Sequence, residues 1–520
     1  MAEQKSRTTY AIYNFTASMG GQMLAIVLQF VTRTVFIHTL GREYLGIGGL
    51  FNNILSMLSL AEFGVGSAII FKLYEPISKN DHRRIKALMN FYKIVYRMIG
   101  VVVAVLGVIL IPFLPVLIRD YTKLEEMHIN VIFIYLLYLL KSVATYLFFA
   151  YKGSLIRAHQ KEYILNLVNY VLMLALTVVQ VITLVLFRNY TLYLFLALFE
   201  IVLENLVGAL IADRMYPYLK EPASEKIERS ELIDIVKDCS ALFLYRMNGV
   251  VLKATDNIVI AMFRGIGAVG LYSNYVIFYT TLNSLFAKVY NSISHGLGNL
   301  HTVHDSAREY RVFKSVNLIT AIIGGTAGVG LFVVADEFVR IWVGSDWVIP
   351  QPFSLLLGLE VYTLAVRQEL SKYRNSMGLF QQAKYRPVAS MIINLVISVA
   401  LVKQLGITGV LIGTVSADWL TLMWFDPIII HKYGFGESGQ IKGYFYRLFL
   451  YTVEIAVIGA IDWFICNRVF VGHGWFSVAL HAMICGFSVP AFILALSCKS
   501  DEGKYVWDLA FRQSRKFVKK

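Results

Sequence analysis

Charged residues and cysteines are both scarce in this chain. Only 16% of its 520 residues are charged and 57% are hydrophobic, whereas an ordinary soluble protein has roughly 25% charged residues. This balance argues against a soluble globular class and indicates a polytopic membrane protein. No cysteine pair has a metal-binding spacing, so we predict neither disulfides nor a zinc site. The four cysteines are Cys239, Cys466, Cys485 and Cys498.

The chain also lacks a motif for a nucleotide or another cofactor. No ATP-binding sequence is present. Gly265, Gly267 and Gly270 spell G-x-G-x-x-G, but they follow an apolar segment that carries charges, and a dinucleotide site requires a β-strand there. The scattered histidines match no metal motif. We therefore predict no cofactor and no metal.

Long hydrophobic runs are what the chain has in abundance. A helix needs about 20 mostly apolar residues to cross a bilayer, and fourteen stretches come close to this length. They lie near residues 12–39, 46–74, 92–118, 129–151, 163–187, 192–212, 239–263, 270–299, 311–335, 350–376, 387–403, 409–431, 447–468 and 476–498. The predicted fold is an all-α polytopic membrane protein with about 14 transmembrane helices. The first span is too long for a cleaved signal core, so we expect it to remain as an anchor.

Basic residues concentrate in one set of loops. Lys and Arg are frequent in the loops that share a side with the two termini and rare in the opposite loops. The positive-inside rule then predicts that both termini are cytoplasmic. Contact of these loops with anionic membrane lipids explains the net charge of +14, so no nucleic-acid partner is needed. The end of the chain from Trp507 fits equally a basic amphipathic helix on the membrane and a disordered tail.

A polar stripe occurs twice along the chain. Gln22, Gln29 and Arg33 lie seven and four positions apart on the first span, which places them on one face of a helix. The same spacing recurs 224 positions later in a second trio, Arg246, Lys253 and Asn257. Polar side chains in a bilayer are costly, so we expect both stripes to face a cavity.

Glycines outside the stripe repeat with the same offset. Gly41 and Gly46 correspond to Gly265 and Gly270. This predicts two pseudo-symmetric six-helix bundles, related by an axis along the membrane normal, with substrate between them. The predicted domains are a bundle at 1–213, a cytoplasmic linker at 214–236, a second bundle at 237–435, and two additional helices with a basic tail at 436–520.

Cations inside the predicted spans indicate an anionic substrate. Charged side chains in a membrane usually pair with one another or line a pathway, and Arg in particular makes forked contacts with phosphate. A phosphorylated sugar attached to a lipid fits, because its tail can stay in the bilayer while the headgroup crosses. The predicted substrate-binding residues are Arg33, Lys141, Arg246, Lys253, Lys288, Arg367, Gln29 and Asn257.

Carboxylates within the spans are predicted to balance these cations or to bind a coupling ion. They include Glu62, Asp256, Glu200 and Glu204, of which the last two lie one helical turn apart. The alternative is that these charges are neutralising pairs that only hold helices together. That alternative is strongest for Lys253 with Asp256, which also lie one turn apart.

Several segments resemble one transporter family in their order and spacing. They are TLGREYLG at 39–46, AEFG at 61–64, TDN at 255–257, VGLYSNY at 269–275, GNL at 298–300 and GITGV at 406–410. Together they resemble the Wzx-type flippases, which form the polysaccharide-transporter branch of the multidrug, oligosaccharidyl-lipid and polysaccharide exporter superfamily. The resemblance covers essentially the first 435 residues, and the last two spans match the fourteen-helix layout of many members.

The resemblance implies alternating access in a V-shaped chamber of a bacterial inner membrane. The implied cargo is an undecaprenyl-pyrophosphate-linked oligosaccharide repeat unit, moved to the outer leaflet for surface polysaccharide assembly. A polysaccharide polymerase and glycosyltransferases are then the expected protein partners. Four residues are carried over to the family's cationic cavity, namely Arg33, Lys253, Lys288 and Arg367, and Glu62 with Asp256 would balance or couple it.

Three other functions compete with this prediction. An ion-coupled drug or small-molecule antiporter would need a predominantly acidic cavity. A flippase for the lipid-linked peptidoglycan precursor carries the same pyrophosphate lipid, so sequence cannot separate it. A membrane-embedded polysaccharide polymerase or ligase would need a sizeable outer loop with acidic or histidine residues, and the loops at 119–127, 188–191 and 469–475 are short. We therefore predict a transporter rather than an enzyme.

Overall fold

The computed structural model describes residues 7–62, 65–221, 227, 254–302, 306–379, 382–435, 441–470 and 474–506. Within these ranges the regular structure is helical, and no strand occurs. The longer helices, numbered in chain order, are α1 (Arg7–Leu40), α2 (Arg42–Leu58), α3 (Val65–Ser78), α4 (His82–Leu110), α5 (Val131–Leu147), α6 (Glu162–Phe187), α7 (Tyr190–Met215), α8 (Ile266–Thr302), α9 (Ser306–Val343), α10 (Phe353–Ser376), α11 (Arg386–Leu405), α12 (Ile407–Leu420), α13 (Leu422–Ile429), α14 (Ile441–Phe464) and α15 (Trp475–Ser497). Shorter helical segments are Ser59–Glu62, Ile111–Phe113, Leu114–Leu117, Tyr121–Glu126, Ala150–Lys152, Gly153–Ala158, Pro217–Lys220, Ser345–Trp347, Ile430–Phe435 and Ile465–Val469.

The helices confirm the prediction of an all-α polytopic membrane protein. Among the described residues, 9 helices are long and apolar enough to span a membrane, or 10 if Val131–Leu147 and Ala150–Ala158, which meet at a 44° bend, form one span. Every predicted span coincides with helical residues, although only 254–263 of the seventh are described. The total of fourteen spans stays a prediction.

Helix α4 shows the surface that a bilayer requires. Val101 and Val105 on this helix are 57% and 53% exposed. Apolar side chains exposed in a continuous patch mark a membrane or protein contact. On a helix this long and apolar, we assign the patch to lipid.

Polar caps begin several of these helices. Asp81 accepts a hydrogen bond from the Arg84 amide at 3.0 Å and so caps α4. Asn130 caps α5 and Asn189 caps α7 in the same way. Each cap satisfies one of the amide groups that a helix start leaves without a partner.

Besides the bent fourth span, two predicted spans are broken in the structure. The second span consists of α2 and α3, with the 3₁₀ turn Ser59–Glu62 after α2. The twelfth consists of α12 and α13 and ends in the π-helical segment Ile430–Phe435. Pro427 in α13 lacks an amide hydrogen and crowds the carbonyl four residues earlier, which accounts for irregularity there.

Two inter-helix glycines of the predicted repeat share one backbone conformation. Gly41 separates α1 from α2, and Gly265 separates the helical residues 254–264 from α8. Their φ angles are +88° and +87°. Glycine adopts this left-handed conformation without the steric cost that other residues incur. The matched angles, 224 positions apart, agree with the predicted duplication.

A reciprocal contact joins the helix starts that follow these glycines. A Cβ atom on Gly46 would lie 2.0 Å from the carbonyl oxygen of Ile266, and one on Gly270 would lie 2.4 Å from that of Arg42. Both distances are far below any real Cβ contact. Glycine at these positions therefore lets the backbones of α2 and α8 touch.

The chain divides into two compact units, Met1–Gly270 and Leu271–Lys520. In the first unit α1 packs against α6, and α5 packs against α4 and α7. In the second unit α9 packs against α10, α14 and α15, while α11 packs against α12. The predicted bundle boundaries stay a prediction, since most of the linker at 214–236 and the basic tail from Trp507 lie outside the described residues.

Candidate functional site

Arg33 lies near tyrosine side chains of the first unit. It is half-buried on α1 and interacts electrostatically with the hydroxyl groups of Tyr193 and Tyr138. The Tyr138 and Tyr190 hydroxyls are 2.9 Å apart. The rings of Tyr190 and Tyr193 stack at a centroid distance of 6.2 Å. α1, α5 and α7 thus bring one guanidinium and three tyrosines together.

Lys141 lies among the carboxylates that the sequence predicts as charge-balancing groups. Glu200 and Glu204 on α7 are the groups whose charges act on the Lys141 ammonium on α5. The side chain of Gln180 on α6 donates to Glu200 at 3.3 Å. All of these charged side chains are half-buried. The structure therefore brings a predicted substrate ligand together with its predicted partners, and each individual role stays a prediction.

Glu62 lies in a different contact of the first unit. The hydroxyl of Tyr96 on α4 donates to its carboxylate at 2.7 Å. The Tyr96 ring also packs edge-on against Tyr92, at a centroid distance of 4.4 Å. These tyrosines could not be predicted from the sequence, because the segment Ser59–Glu62 and α4 come together only in the folded unit.

The remaining sequence-predicted residues fall into three groups. Gln29 is exposed on α1, and Lys288 is half-buried on α8. Asn257 is buried and donates to the Gly49 carbonyl at 3.5 Å, and its neighbour Asp256 is buried too. Two predicted ligands, Arg246 and Lys253, lie outside the described residues, so the proposed pairing of Lys253 with Asp256 stays a prediction.

Arg367 on α10 is held by acidic groups of the second unit. Its guanidinium donates to Asp418 on α12 and to the Tyr279 hydroxyl on α8, and it lies 3.5 Å from Glu360. The carboxylate side chains are only 3% and 2% exposed. Two buried carboxylates thus surround one cation, and an anionic substrate at Arg367 would have to compete with them.

A second cluster of buried charges was not predicted from the sequence. Arg374 on α10 donates to Asp426 on α13 at 2.7 Å, and Arg386 at the start of α11 lies 3.1 Å from the other oxygen of the same carboxylate. On the same helix as Arg374, Glu369 accepts a hydrogen bond from Asn317 on α9. The sequence feature that could have indicated this cluster is the number of charges on α10, which carries five charged residues from Glu360 to Arg374.

An apolar groove lies beside this charged helix. It has a volume of about 470 Å³ and is lined by α9, α10 and α14, with Gly328, Gly358 and Gly459 on its walls. A Cβ on Gly328 would lie 2.5 Å from the Gly358 carbonyl oxygen, so glycine lets α9 and α10 touch at the groove. Among its fourteen lining residues only Tyr362 and Thr452 have polar side-chain groups, apart from the Trp463 indole.

Long apolar helices with charges buried among them define a multi-pass membrane protein. The chain belongs to the polysaccharide biosynthesis protein family, whose model matches residues 12–292. No curated protein sequence matches it.

The fold is similar to that of solved transporter structures. Lipid II flippase MurJ, in an inward closed conformation, matches with a TM-score of 0.65 and 13% identity over 94% of this chain and 99% of that chain. A multidrug resistance MATE family transporter of the MOP superfamily, in an inward-facing conformation, matches with a TM-score of 0.55 and 15% identity over 78% and 94%. A point mutant of the Vibrio cholerae MATE transporter VcmN matches with a TM-score of 0.50 and 14% identity over 82% and 98%. The predicted resemblance is confirmed, and the fold of the chain is that of membrane flippases and transporters.

Proposed function

We propose that this protein moves an undecaprenyl-pyrophosphate-linked oligosaccharide repeat unit from the cytoplasmic to the outer leaflet of a bacterial inner membrane by alternating access. Its family supports a lipid-linked substrate used in polysaccharide synthesis. Neighbouring partners would be the glycosyltransferases that build the unit and the polymerase that consumes it. Both termini would face the cytoplasm, as the loop charges indicate.

The observation that supports the proposal is that α10 borders an apolar groove with its first half and carries a cation in its second half. Its first half borders the apolar groove through Leu355, Gly358 and Tyr362. Its second half carries Arg367, which donates to Asp418. Arg367 lies nine residues after Gly358 and therefore about 14 Å further along the helix axis. A lipid-linked substrate presents the same pairing, because its apolar tail is joined to a charged headgroup.

Filling the groove is expected to block transport. We expect Ala460→Trp to lower polysaccharide export more than about tenfold in a deletion host, because Ala460 lines the groove and is exposed there. Each methylene of a tail excluded from an apolar site costs about 0.8 kcal/mol, so excluding two exceeds a tenfold loss. The measurement is surface polysaccharide per cell at matched protein level.

Ile461→Trp is the matched control for the groove. Ile461 lies on the same helix and is 43% exposed, but it does not line the groove. Export should stay within about twofold of the parent, since the new ring would lie on the opposite face of the helix from the groove. Equal losses in the two variants would contradict a role for the groove.

Arg33 is expected to contribute to headgroup binding. Arg33→Ala should lower export about tenfold, equivalent to about 1.4 kcal/mol, and Arg33→Lys should retain part of it, because lysine keeps the charge but loses the forked donors. His38→Gln is the control, since His38 is exposed on the same helix and its ring contacts the Thr34 carbonyl. Parental export by folded Arg33→Ala protein would remove Arg33 from the proposed site.

An ion-coupled antiporter of the same superfamily is the second candidate. The observation that favours it is the pair of buried carboxylates around Arg367, because carboxylates bind cations. Deletion of the gene would then raise drug sensitivity and leave surface polysaccharide unchanged. Essentiality of the gene would instead favour a flippase for the lipid-linked peptidoglycan precursor.

A further inference from the structure

A small basic cavity lies at one end of the first unit, and its lining includes none of the residues assigned above. The start of α4 and the segments Ala150–Lys152 and Pro217–Lys220 enclose about 200 Å³. Four lysines line it together with the amide of Asn90 and the hydroxyl of Tyr151, and we call this cavity the lysine pocket. The lysines are Lys86, Lys93, Lys152 and Lys220.

Among the described residues, carboxylates balance two of these four charges. Lys86 donates to Glu221 at 2.9 Å, and Lys152 donates to Asp213 at 2.7 Å. Within the part of the chain that the structure describes, Lys93 and Lys220 have no ion-pair partner. The Glu221 side chain is 67% exposed, so it can leave Lys86 at little cost. Counted over the described residues, the lysine pocket therefore has an excess of two positive charges. A third, on Lys86, becomes available when Glu221 leaves.

Size and donor chemistry restrict the ligand. The volume is below the roughly 300–1,000 Å³ of pockets for drug-sized ligands, so only a small group fits. A phosphate group presents several acceptor oxygens and at least one negative charge, and lysine binds phosphate as a point charge. Asn90 and Tyr151 add neutral donors. A phosphate group meets both requirements.

The position of Lys93 indicates where the phosphate comes from. Lys86, Asn90, Lys93 and Arg97 are spaced four, three and four residues apart and so share one face of α4. The same face continues one turn later to Val101, on the apolar surface assigned to lipid. We propose that the lysine pocket binds the phosphate of an anionic membrane lipid, whose acyl chains lie along α4.

The test measures lipid binding to the purified full-length chain. Dioleoyl phosphatidic acid is titrated into the protein in detergent at near-physiological salt, and native mass spectrometry gives the bound fraction. Lys93→Gln and Lys220→Gln should each weaken binding about fivefold, since a lysine near an anionic lipid contributes about 1 kcal/mol. Glu221→Gln should strengthen binding, because it removes the carboxylate that competes for Lys86.

Lys79→Gln is the matched control for the lysine pocket. Lys79 follows α3, is highly exposed and pairs with Glu75 at 2.6 Å, and it does not line the pocket. Its variant should bind the lipid within about twofold of the parent. A loss equal to that of Lys93→Gln would overturn the proposal, because diffuse surface charge would then explain binding.

Competition with inorganic phosphate distinguishes a site for a lipid phosphate from a site for the free phosphate ion. We expect that a large molar excess of inorganic phosphate leaves the lipid bound, because the acyl chains contribute apolar contact along α4. Full displacement by inorganic phosphate would overturn the lipid assignment and identify a site for the free anion. Binding of phosphatidylcholine as tight as that of phosphatidic acid, in parent and variants alike, would also overturn it.

Discussion

Replacing Asp426 with alanine is expected to destabilise the second unit by about 3–5 kcal/mol, the usual cost of breaking a buried ion pair by removing one partner. The Asp426 side chain is 0% exposed, and the side chains of Arg374 and Arg386 are 3% and 5% exposed. The substitution leaves two guanidinium groups buried without their carboxylate. Such a loss is a large part of the total stability of most proteins.

The measurement is the thermal unfolding midpoint of the detergent-purified protein, together with the monodisperse fraction on size exclusion. Asp346→Ala is the control, because Asp346 is exposed in the segment Ser345–Trp347. Removing all three charges with Arg374→Met, Asp426→Leu and Arg386→Met should recover most of the stability, since no buried charge is then left unpaired. An Asp426→Ala midpoint equal to that of Asp346→Ala would show that the cluster is not a stabilising contact.

Alanine at Gly46 is expected to produce the second large effect. Its Cβ would lie 2.0 Å from the Ile266 carbonyl oxygen, which is a backbone atom that cannot rotate away. The start of α2 must therefore move away from α8, and overpacking of this kind costs about 1–3 kcal/mol or more. Export should fall about tenfold or more at matched protein level.

Gly49→Ala is the matched control on the same helix. Its Cβ would meet only side-chain atoms, the nearest of them on Val269 at 3.4 Å, so the export and the folded yield should stay near those of the parent. Gly270→Ala should behave like Gly46→Ala, because its Cβ would lie 2.4 Å from the Arg42 carbonyl oxygen. Parental export by Gly46→Ala would show that the contact between the two helix starts is dispensable.

The helices were accessible from the sequence, whereas most of the charge pairing was not. The stripe Gln22, Gln29 and Arg33 lies on the continuous helix α1, as its spacing predicts. Lys141 was predicted as a substrate ligand and Glu200 as a balancing group, but nothing in the sequence showed that they interact. The cluster of Arg374, Arg386 and Asp426 was missed, because its members are distributed over three helices.

The sequence by itself determined the membrane class, the helical character of the spans and the repeat of Gly41 and Gly46 at Gly265 and Gly270. The reason is that a bilayer forces each span to satisfy its backbone hydrogen bonds locally, so that hydrophobic length and helical period already specify the helix. Only the tertiary structure decided that Asp418 neutralises Arg367 from 51 positions away, and that an apolar groove and a lysine pocket exist. Ion pairs and cavities depend on contacts between distant helices, and no local pattern encodes which helices meet.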